Sequence, residues 1–113
     1  MSKFSLDGRN AIVTGASQGI GKGIAETLAE AGANVSICSR AQERVDPVAE
    51  GIEDAGGTAF AMECDVRDAE AVEEYVEATV EEFGGVDLLV NNAGGEFVAP
   101  FEDISENGWK SIV

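Results

Sequence analysis

The most informative chemical pattern in the chain is a cluster of glycines at residues 14–21, with the sequence TGASQGIG. It follows a short apolar run and precedes a stretch in which apolar residues recur at helical spacing. Glycines allow a sharp turn and let backbone N–H groups approach a phosphate closely, and a helix N-terminus adds donors and partial positive charge. The strand before and the helix after favour a pyrophosphate-binding loop over an incidental glycine-rich turn.

A second pattern lies at the end of the next predicted strand, about 20 positions further on. An acidic residue is expected there when the bound ribose has a free 2′-hydroxyl, but this chain has Ser39 and Arg40. A hydroxyl and a guanidinium can both donate hydrogen bonds to a 2′-phosphate. The pair therefore favours NADP(H), while NAD(H) stays an alternative. Alternatively, Arg40 only solvates the first turn of its helix. Arg44, one turn further on, either assists Arg40 in binding the phosphate or is simply exposed to solvent.

Other residue types offer little chemistry. The chain has two cysteines and no histidine, so the sequence predicts neither a metal site nor a Cys–His nucleophile. We expect Cys38 and Cys64 to be reduced, small apolar residues near strand ends. Tyr75 is the one tyrosine and has no lysine four positions on, so it is assigned no catalytic role. We predict no catalytic residue in the chain.

The charge restricts the partners. With 22 acidic and 7 basic residues the net charge is -15, which argues against nucleic acid and anionic membrane surfaces as partners. The acidic residues between positions 70 and 82 are interpreted as a solvated helix face, or alternatively as a surface that contacts a partner. We hypothesise a halophilic source and expect the melting temperature to rise with added KCl. No stretch reaches the roughly 18 apolar residues of a membrane span, so we expect a cytoplasmic protein.

Apolar runs alternate with amphipathic stretches along the whole chain. Strands are predicted at residues 11–14, 34–38, 58–63 and 86–90, and helices at about 20–31, 41–55 and 69–83, with a last helix starting near residue 106. Ser39 and Gln42 fit a capping box for the second helix, and Asp68 is a candidate cap for the third. This alternation predicts a parallel α/β sheet with helices on both faces. In the third helix we expect one apolar stripe, formed by Val72, Val76, Val80 and Phe83.

Three motifs in this order resemble the short-chain dehydrogenase/reductase family. They are the TGASQGIG segment, the pair Asp65–Val66 after the third strand, and the sequence NNAG at residues 91–94 after the fourth. The resemblance implies a Rossmann-type doubly wound parallel sheet. It also implies that residues 1–113 form the dinucleotide-binding half-domain, incomplete at its C-terminus and truncated after the fourth strand.

The resemblance also implies residue roles. The glycines would shape the pyrophosphate loop, Asp65 would bind the adenine amino group, Val66 would pack on the ring, and residues 91–94 would pass beside the cofactor's ribose. Together with the argument from the second strand, the predicted cofactor-binding residues are Gly15, Ser17, Gly19, Ile20, Gly21, Ser39, Arg40, Asp65, Val66, Asn91, Ala93 and Gly94.

Residues 94–109 resemble the enoyl- and dienoyl-CoA reductase branch of the family, and also ketoacyl reductases and sugar dehydrogenases. Alternatively, Phe97, Phe101 and Trp109 are packing residues only. Family members transfer hydride between nicotinamide and a carbonyl or alcohol carbon of a small-molecule substrate. Their catalytic Ser, Tyr and Lys would lie beyond Val113, so we expect the chain alone to bind cofactor without chemistry. The alternative is a non-catalytic nucleotide-binding module.

The expected strand order leaves the outer edge of the fourth strand unpaired. Exposed strand edges invite pairing with other chains. We therefore expect the isolated chain to be marginally stable and to form a homo-oligomer or a swapped assembly.

Overall fold

The fold is a five-stranded sheet flanked by helices. A computed structural model of the chain describes residues 5–92 and 98–100. The elements in chain order are β1 (Asn10–Thr14), α1 (Gly19–Glu30), β2 (Asn34–Ser39), α2 (Gln42–Asp54), β3 (Thr58–Glu63), α3 (Ala69–Phe83), β4 (Leu88–Asn91) and β5 (Val98–Pro100). The strand order is β3-β2-β1-β4-β5.

The register brings the carboxyl ends of four parallel strands to one edge of the sheet. Thr14 at the end of β1 pairs with Cys38 of β2 on one side and with Asn91 of β4 on the other. Cys38 in turn pairs with Met62 of β3. In an open parallel sheet, ligands bind outside this edge. The predicted α/β sheet of Rossmann type is confirmed.

The fourth strand is not left unpaired along its outer edge. Residues 98–100 run antiparallel to β4, with Leu88 opposite Pro100 and Val90 opposite Val98. The expectation of an open edge is therefore wrong for residues 88–90, because β5 pairs with them. Proline is typical of an edge strand, since it has no N–H to donate to a further neighbour.

The side chains of successive strand residues pack into two hydrophobic cores, one on each face of the sheet. On one face, Val13 of β1 and Val35 of β2 pack with Ala25 of α1 and Val45 of α2. On the other face, a second cluster packs beneath α3; it comprises Ile12, Cys38, Cys64, Val72, Tyr75 and Leu89. Alternate strand residues point to opposite faces, so near-continuous apolar strands are required to fill both cores.

The buried face of α3 differs from the predicted apolar stripe. Val72 is buried as expected, but Val80 is 41% exposed, and the other buried positions are Tyr75 and Thr79. Their hydroxyls enter the core because Ser36 of β2 partners both, donating to the Tyr75 hydroxyl at 2.7 Å and lying 2.7 Å from Thr79 Oγ1. The apolar stripe is predicted from hydropathy alone. Hydropathy does not predict the burial of polar side chains that find hydrogen-bond partners in the core.

The two predicted helix caps have different outcomes. Asp68 caps α3, since its side chain accepts hydrogen bonds from two first-turn amides, at 3.0 and 3.3 Å. The capping box at α2 is wrong, because the residue before the helix is Ala41, whose own side chain makes no capping hydrogen bond. Gln42 instead reaches β3, where its Nε2 donates to the Ala61 carbonyl at 3.1 Å and its Oε1 accepts from the Glu63 amide at 2.8 Å.

Within the described part of the chain, no helix combines the length and the apolar character needed to cross a membrane.

Candidate nucleotide-binding site

A crevice of about 610 Å³ opens at the carboxyl edge of the sheet. Four segments form it: the β1–α1 loop with the start of α1, the residues after β2, the residues after β3, and Asn92 after β4. This volume lies within the range of small-molecule and cofactor sites. The lining residues are Gly15, Ser17, Gln18, Gly19, Ile20, Ser39, Arg40, Arg44, Cys64, Asp65, Val66, Arg67 and Asn92.

The β1–α1 loop depends on two glycines with left-handed backbone conformations. Gly15 has φ 61° and Gly19 has φ 60°, values that other residues adopt only with strain. The Ala16 amide donates to the Cys38 carbonyl at 3.2 Å, which fastens the loop across the ends of β1 and β2. The loop therefore passes directly over the sheet edge where a ligand is expected.

The first turn of α1 presents backbone N–H groups at this edge. The first hydrogen bond of the helix runs from the Lys22 amide to the Gln18 carbonyl, 3.4 Å long, so the preceding amides lie before the intrahelical ladder. The first turn contains no acidic residue that would compete with an anion. Ile20 is 63% exposed beside these amides. A phosphate is the ligand that such a helix start accommodates.

Gly21 fixes how closely α1 approaches the loop. A β-carbon at this position would overlap the Gly15 carbonyl oxygen and lie 2.7 Å from Asn92 Nδ2. The same Asn92 amide donates to the Gly15 carbonyl at 3.2 Å, which links the loop to the end of β4. Nearby, Thr14 Oγ1 donates to Asn91 Oδ1 at 2.9 Å. Asn92 thus links the β1–α1 loop to the end of β4, and Asn91 links the end of β1 to it.

The crevice is far more basic than the rest of the chain. Of the five Lys and Arg residues in the described part of the chain, three line the crevice, namely Arg40, Arg44 and Arg67. Among the 18 acidic residues that the structure describes, the one that lines the crevice is Asp65. Arg40 and Arg44 are exposed and able to meet a ligand. This arrangement attracts an anion to one place on a strongly acidic molecule.

Ser39 is already engaged within its own turn. It is 8% exposed, and its hydroxyl donates to the Ala41 carbonyl at 2.9 Å while accepting from the Ala41 amide at 3.3 Å. Because the hydroxyl hydrogen of Ser39 is already donated to the Ala41 carbonyl, the role of Ser39 is to stabilise the turn that contains Arg40. The guanidinium groups of Arg40 and Arg44 line the crevice at this point and are side-chain donors for a ligand.

Asp65 and Arg67 form an ion pair on the crevice wall. Arg67 Nε donates to Asp65 Oδ1 at 3.1 Å and Arg67 Nη2 donates to Oδ2 at 2.9 Å, while the Arg67 amide donates to Oδ1 at 3.0 Å. These hydrogen bonds from Arg67 lower the pKa of the Asp65 carboxyl to about 2, with a smaller contribution from the charge of Arg40. The carboxylate therefore stays ionised at ordinary pH.

The two cysteines are buried and form no disulfide, and Cys64 lines the crevice. The Cys38 thiol has its pKa raised by its hydrogen bond with Cys64 and by burial, whereas the same hydrogen bond lowers the pKa of Cys64. Both occupy the predicted positions at strand ends. The described residues contain no group of three or more His, Cys, Asp or Glu placed to hold a metal ion.

Comparison with known proteins gives the family. The sequence profile of the short chain dehydrogenases matches residues 9–113. The chain belongs to this family. It is 41% identical to gluconate 5-dehydrogenase of Gluconobacter oxydans, over 97% of the chain and 43% of that protein. It is 33% identical to a probable 2,4-dienoyl-CoA reductase of Bacillus subtilis, over 96% of the chain and 42% of the relative.

Solved structures give the same result. The chain superimposes with a TM-score of 0.77 on a dehydrogenase/reductase from Sinorhizobium meliloti, with 46% identity over 96% of the chain and 43% of that structure. This short-chain dehydrogenase chain thus spans less than half the length of the relatives it matches.

The short-chain dehydrogenase fold gathers most of the predicted cofactor residues into the crevice. Those that line it are Gly15, Ser17, Gly19, Ile20, Ser39, Arg40, Asp65 and Val66. Gly21 and Asn91 lie buried behind the wall, and Ala93 and Gly94 are outside the described residues. Sequence reasoning missed Gln18, Cys64 and Arg67 as lining residues, whereas Asn92 belongs to the segment 91–94 that it expected beside the cofactor. The position of Arg67, two residues after Asp65, was the available signal. Contact of these residues with a cofactor stays a prediction.

Proposed function

We propose that the chain is the cofactor-binding half-domain of an NADP(H)-dependent short-chain oxidoreductase. When bound, the nicotinamide cofactor supplies hydride exchange with a carbonyl or alcohol carbon of a small molecule, and the residues described here bind and orient it. The observation that carries the proposal is the juxtaposition, in one crevice, of a glycine-shaped helix start and three arginines.

The pyrophosphate fits the β1–α1 loop. The first-turn amides of α1 supply donors, no carboxylate lies in that turn, and the glycine at position 21 allows the helix to approach closely. Ser17 and Ile20 line the same loop. These features support a linked pair of phosphates as the ligand of this part of the crevice.

The preference for NADP(H) is assigned to guanidinium groups. Arg40 and Arg44 line the crevice at the end of β2, where an enzyme that prefers NAD(H) carries a carboxylate. Arginine binds phosphate through several donors in a fixed planar arrangement. Ser39 contributes indirectly, because its hydroxyl holds the turn that presents Arg40.

The remaining predicted contacts are proposed for the adenosine. Asp65 and Val66 follow β3 on the crevice wall, where a carboxylate oxygen can accept from an adenine amino group and an aliphatic side chain can pack on the ring. Beyond them, Ala93 and Gly94 are proposed to pass beside the ribose.

No residue described here is proposed as catalytic. Tyr75 is 1% exposed, and burial followed by the charge of Cys38 raises the pKa of its phenol, whereas a tyrosine that exchanges protons with substrate requires a lowered pKa and access. The proton-transferring group of the oxidoreductase is therefore a residue other than Tyr75.

The relatives do not share one substrate, since their names refer to molecules as unlike as gluconate and a dienoyl-CoA. We accordingly propose only a small carbonyl or alcohol compound. A cytoplasmic location and a homo-oligomeric state are also proposed. Light scattering tests the homo-oligomeric state, and a monodisperse monomer would contradict it.

The proposed cofactor preference is tested by direct binding. NADPH and NADH are titrated into the chain in molar KCl while nicotinamide fluorescence is recorded. We expect a lower Kd for NADPH. Arg40→Ala should raise the Kd for NADPH by about tenfold and leave that for NADH nearly unchanged, because only the former has the 2′-phosphate.

Arg9→Ala is the matched control, because Arg9 lies at the opposite end of β1 and pairs with Asp87 at 3.9 Å. It removes the same charge without touching the crevice. Tighter binding of NADH than of NADPH by the unmodified chain would overturn the preference. Absence of a Ser and a Tyr-x-x-x-Lys from any longer form of the protein would favour the alternative, a nucleotide-binding module without chemistry.

A further inference from the structure

One carboxylate lies among the arginines of the crevice. Asp65 lines the same wall as Arg40 and Arg67, and the charge of Arg40 contributes to holding Asp65 ionised. A negative charge at this point would repel a phosphate bound by Arg40 and Arg44. The crevice therefore needs some means of offsetting that charge if it is to prefer a 2′-phosphorylated nucleotide.

The contacts of Asp65 provide that means. Two side-chain nitrogens of Arg67 bond to the two carboxylate oxygens, at 3.1 and 2.9 Å, in the parallel arrangement that guanidinium and carboxylate favour. The Arg67 amide adds a third hydrogen bond at 3.0 Å. The two residues are separated by one position, so the local turn itself brings them together.

The pair remains accessible to a ligand. The side chains of Arg67 and Asp65 are 72% and 38% exposed. An exposed pair of this kind adds little to folding stability. The pair nevertheless changes the electrostatic potential inside the crevice. A guanidinium bound to a carboxylate converts a single negative charge into a dipole, and the field of a dipole falls off faster with distance than that of a charge.

We propose that Arg67 is a positioning residue for 2′-phosphate selectivity: its guanidinium neutralises Asp65, so that Arg40 and Arg44 act on the phosphate unopposed. The proposal rests on the NADP(H) preference proposed above and extends it to a residue that acts through Asp65 rather than by touching the phosphate.

The test measures how much the 2′-phosphate adds to binding. Calorimetric titrations with adenosine 2′,5′-bisphosphate and with 5′-AMP give two Kd values, and their ratio isolates that phosphate. In low KCl we expect Arg67→Gln to reduce the selectivity ratio by about three- to tenfold, as estimated for one unscreened charge near the site. Arg67→Lys should retain most of the selectivity.

Two further variants separate this role from a structural one. Adding Asp65→Asn to Arg67→Gln should restore the ratio, since the charge that Arg67 offsets is then gone. Arg9→Gln makes the same change in net charge far from the crevice and should leave the ratio unchanged. Far-UV circular dichroism of each variant verifies that the fold is retained.

The outcomes distinguish the two proposals. If the unmodified chain binds 5′-AMP as tightly as the bisphosphate, the NADP(H) preference fails whatever the variants do. If the unmodified chain prefers the bisphosphate but Arg67→Gln weakens both ligands equally, the inference about Arg67 is overturned. Failure of the double variant to restore selectivity also overturns it, since Arg67 would then contact the phosphate directly.

Discussion

Two glycines in α1 provide a test of how closely this helix approaches the β1–α1 loop. Gly21 is buried, and a β-carbon there would overlap the Gly15 carbonyl oxygen. Gly23 is exposed two positions further on, and a β-carbon there would have no atom within 4 Å. Neither has a positive φ, so backbone strain does not enter the comparison.

The expected magnitudes follow from these surroundings. Replacing glycine by alanine inside a helix stabilises it by about 0.5–1 kcal/mol, and both substitutions gain this amount. Gly23→Ala should therefore raise the free energy of unfolding by about 0.5–1 kcal/mol. Gly21→Ala carries in addition an overpacking cost of about 1–3 kcal/mol, because the atom that must move belongs to the backbone. The difference between the two variants should thus be about 1–3 kcal/mol.

The assay is urea unfolding at constant KCl, followed by far-UV circular dichroism, with the midpoint and slope fitted for each variant. Binding provides a second measurement. Because Gly21→Ala displaces the helix start from the loop, the Kd for NADPH should rise by about tenfold, the equivalent of about 1.4 kcal/mol of phosphate hydrogen bonding. Gly23→Ala should leave it unchanged.

Equal stability of the two alanine variants would refute the reasoning, since the steric cost would then be absent. A Gly21→Ala variant that loses stability but binds NADPH with unchanged Kd would separate the packing role from the proposed phosphate site, and would place the ligand elsewhere.

Three further predictions concern single groups. Asp68→Ala should lower the free energy of unfolding by about 1 kcal/mol in the same urea assay, because α3 loses its cap. Asp68→Asn should retain most of the stability that the cap contributes, because asparagine also caps helices. Ser36→Ala should cost about 1–3 kcal/mol, because it removes a hydrogen-bond partner from the buried Tyr75 hydroxyl; a cost near zero would contradict the network. In a carbon-13 NMR titration the Asp65 carboxyl should show a pKa of about 2, and Arg67→Gln should raise it toward 3.8. Since the folded pKa lies below the unfolded one, the contribution of this pair to stability is present above about pH 4 and lost as the pH falls through about 2.

Much of the crevice was predictable because its determinants are local. Gly15 lies in the β1–α1 loop and Gly19 at the first position of α1, both with positive φ, so their spacing between a strand and a helix could be interpreted without tertiary information. Arg40 follows directly on a strand whose carboxyl end must face the crevice in any parallel sheet.

The features that sequence analysis predicted wrongly have one property in common. Each depends on contacts with residues that are distant in the chain. Gln42 satisfies backbone groups of β3 rather than a helix end, and that role appears only when the two strands pair. Thr79 is buried because Ser36, 43 positions earlier, faces it. Similarly, β5 is a three-residue strand whose existence depends on the edge of β4 that it covers.

The sequence by itself determined the parallel α/β architecture, the glycine-rich turn between β1 and α1, and the family, since strand alternation, glycine spacing and three ordered motifs are properties of short segments. Tertiary structure decided which charges share the crevice and which are offset. Arg40, Arg44 and Arg67 come from segments after two different strands, and only the register of β2 with β3 brings them to one wall beside Asp65. Electrostatic interaction depends on distance in space, and a sequence in which basic residues are few and scattered does not reveal that distance.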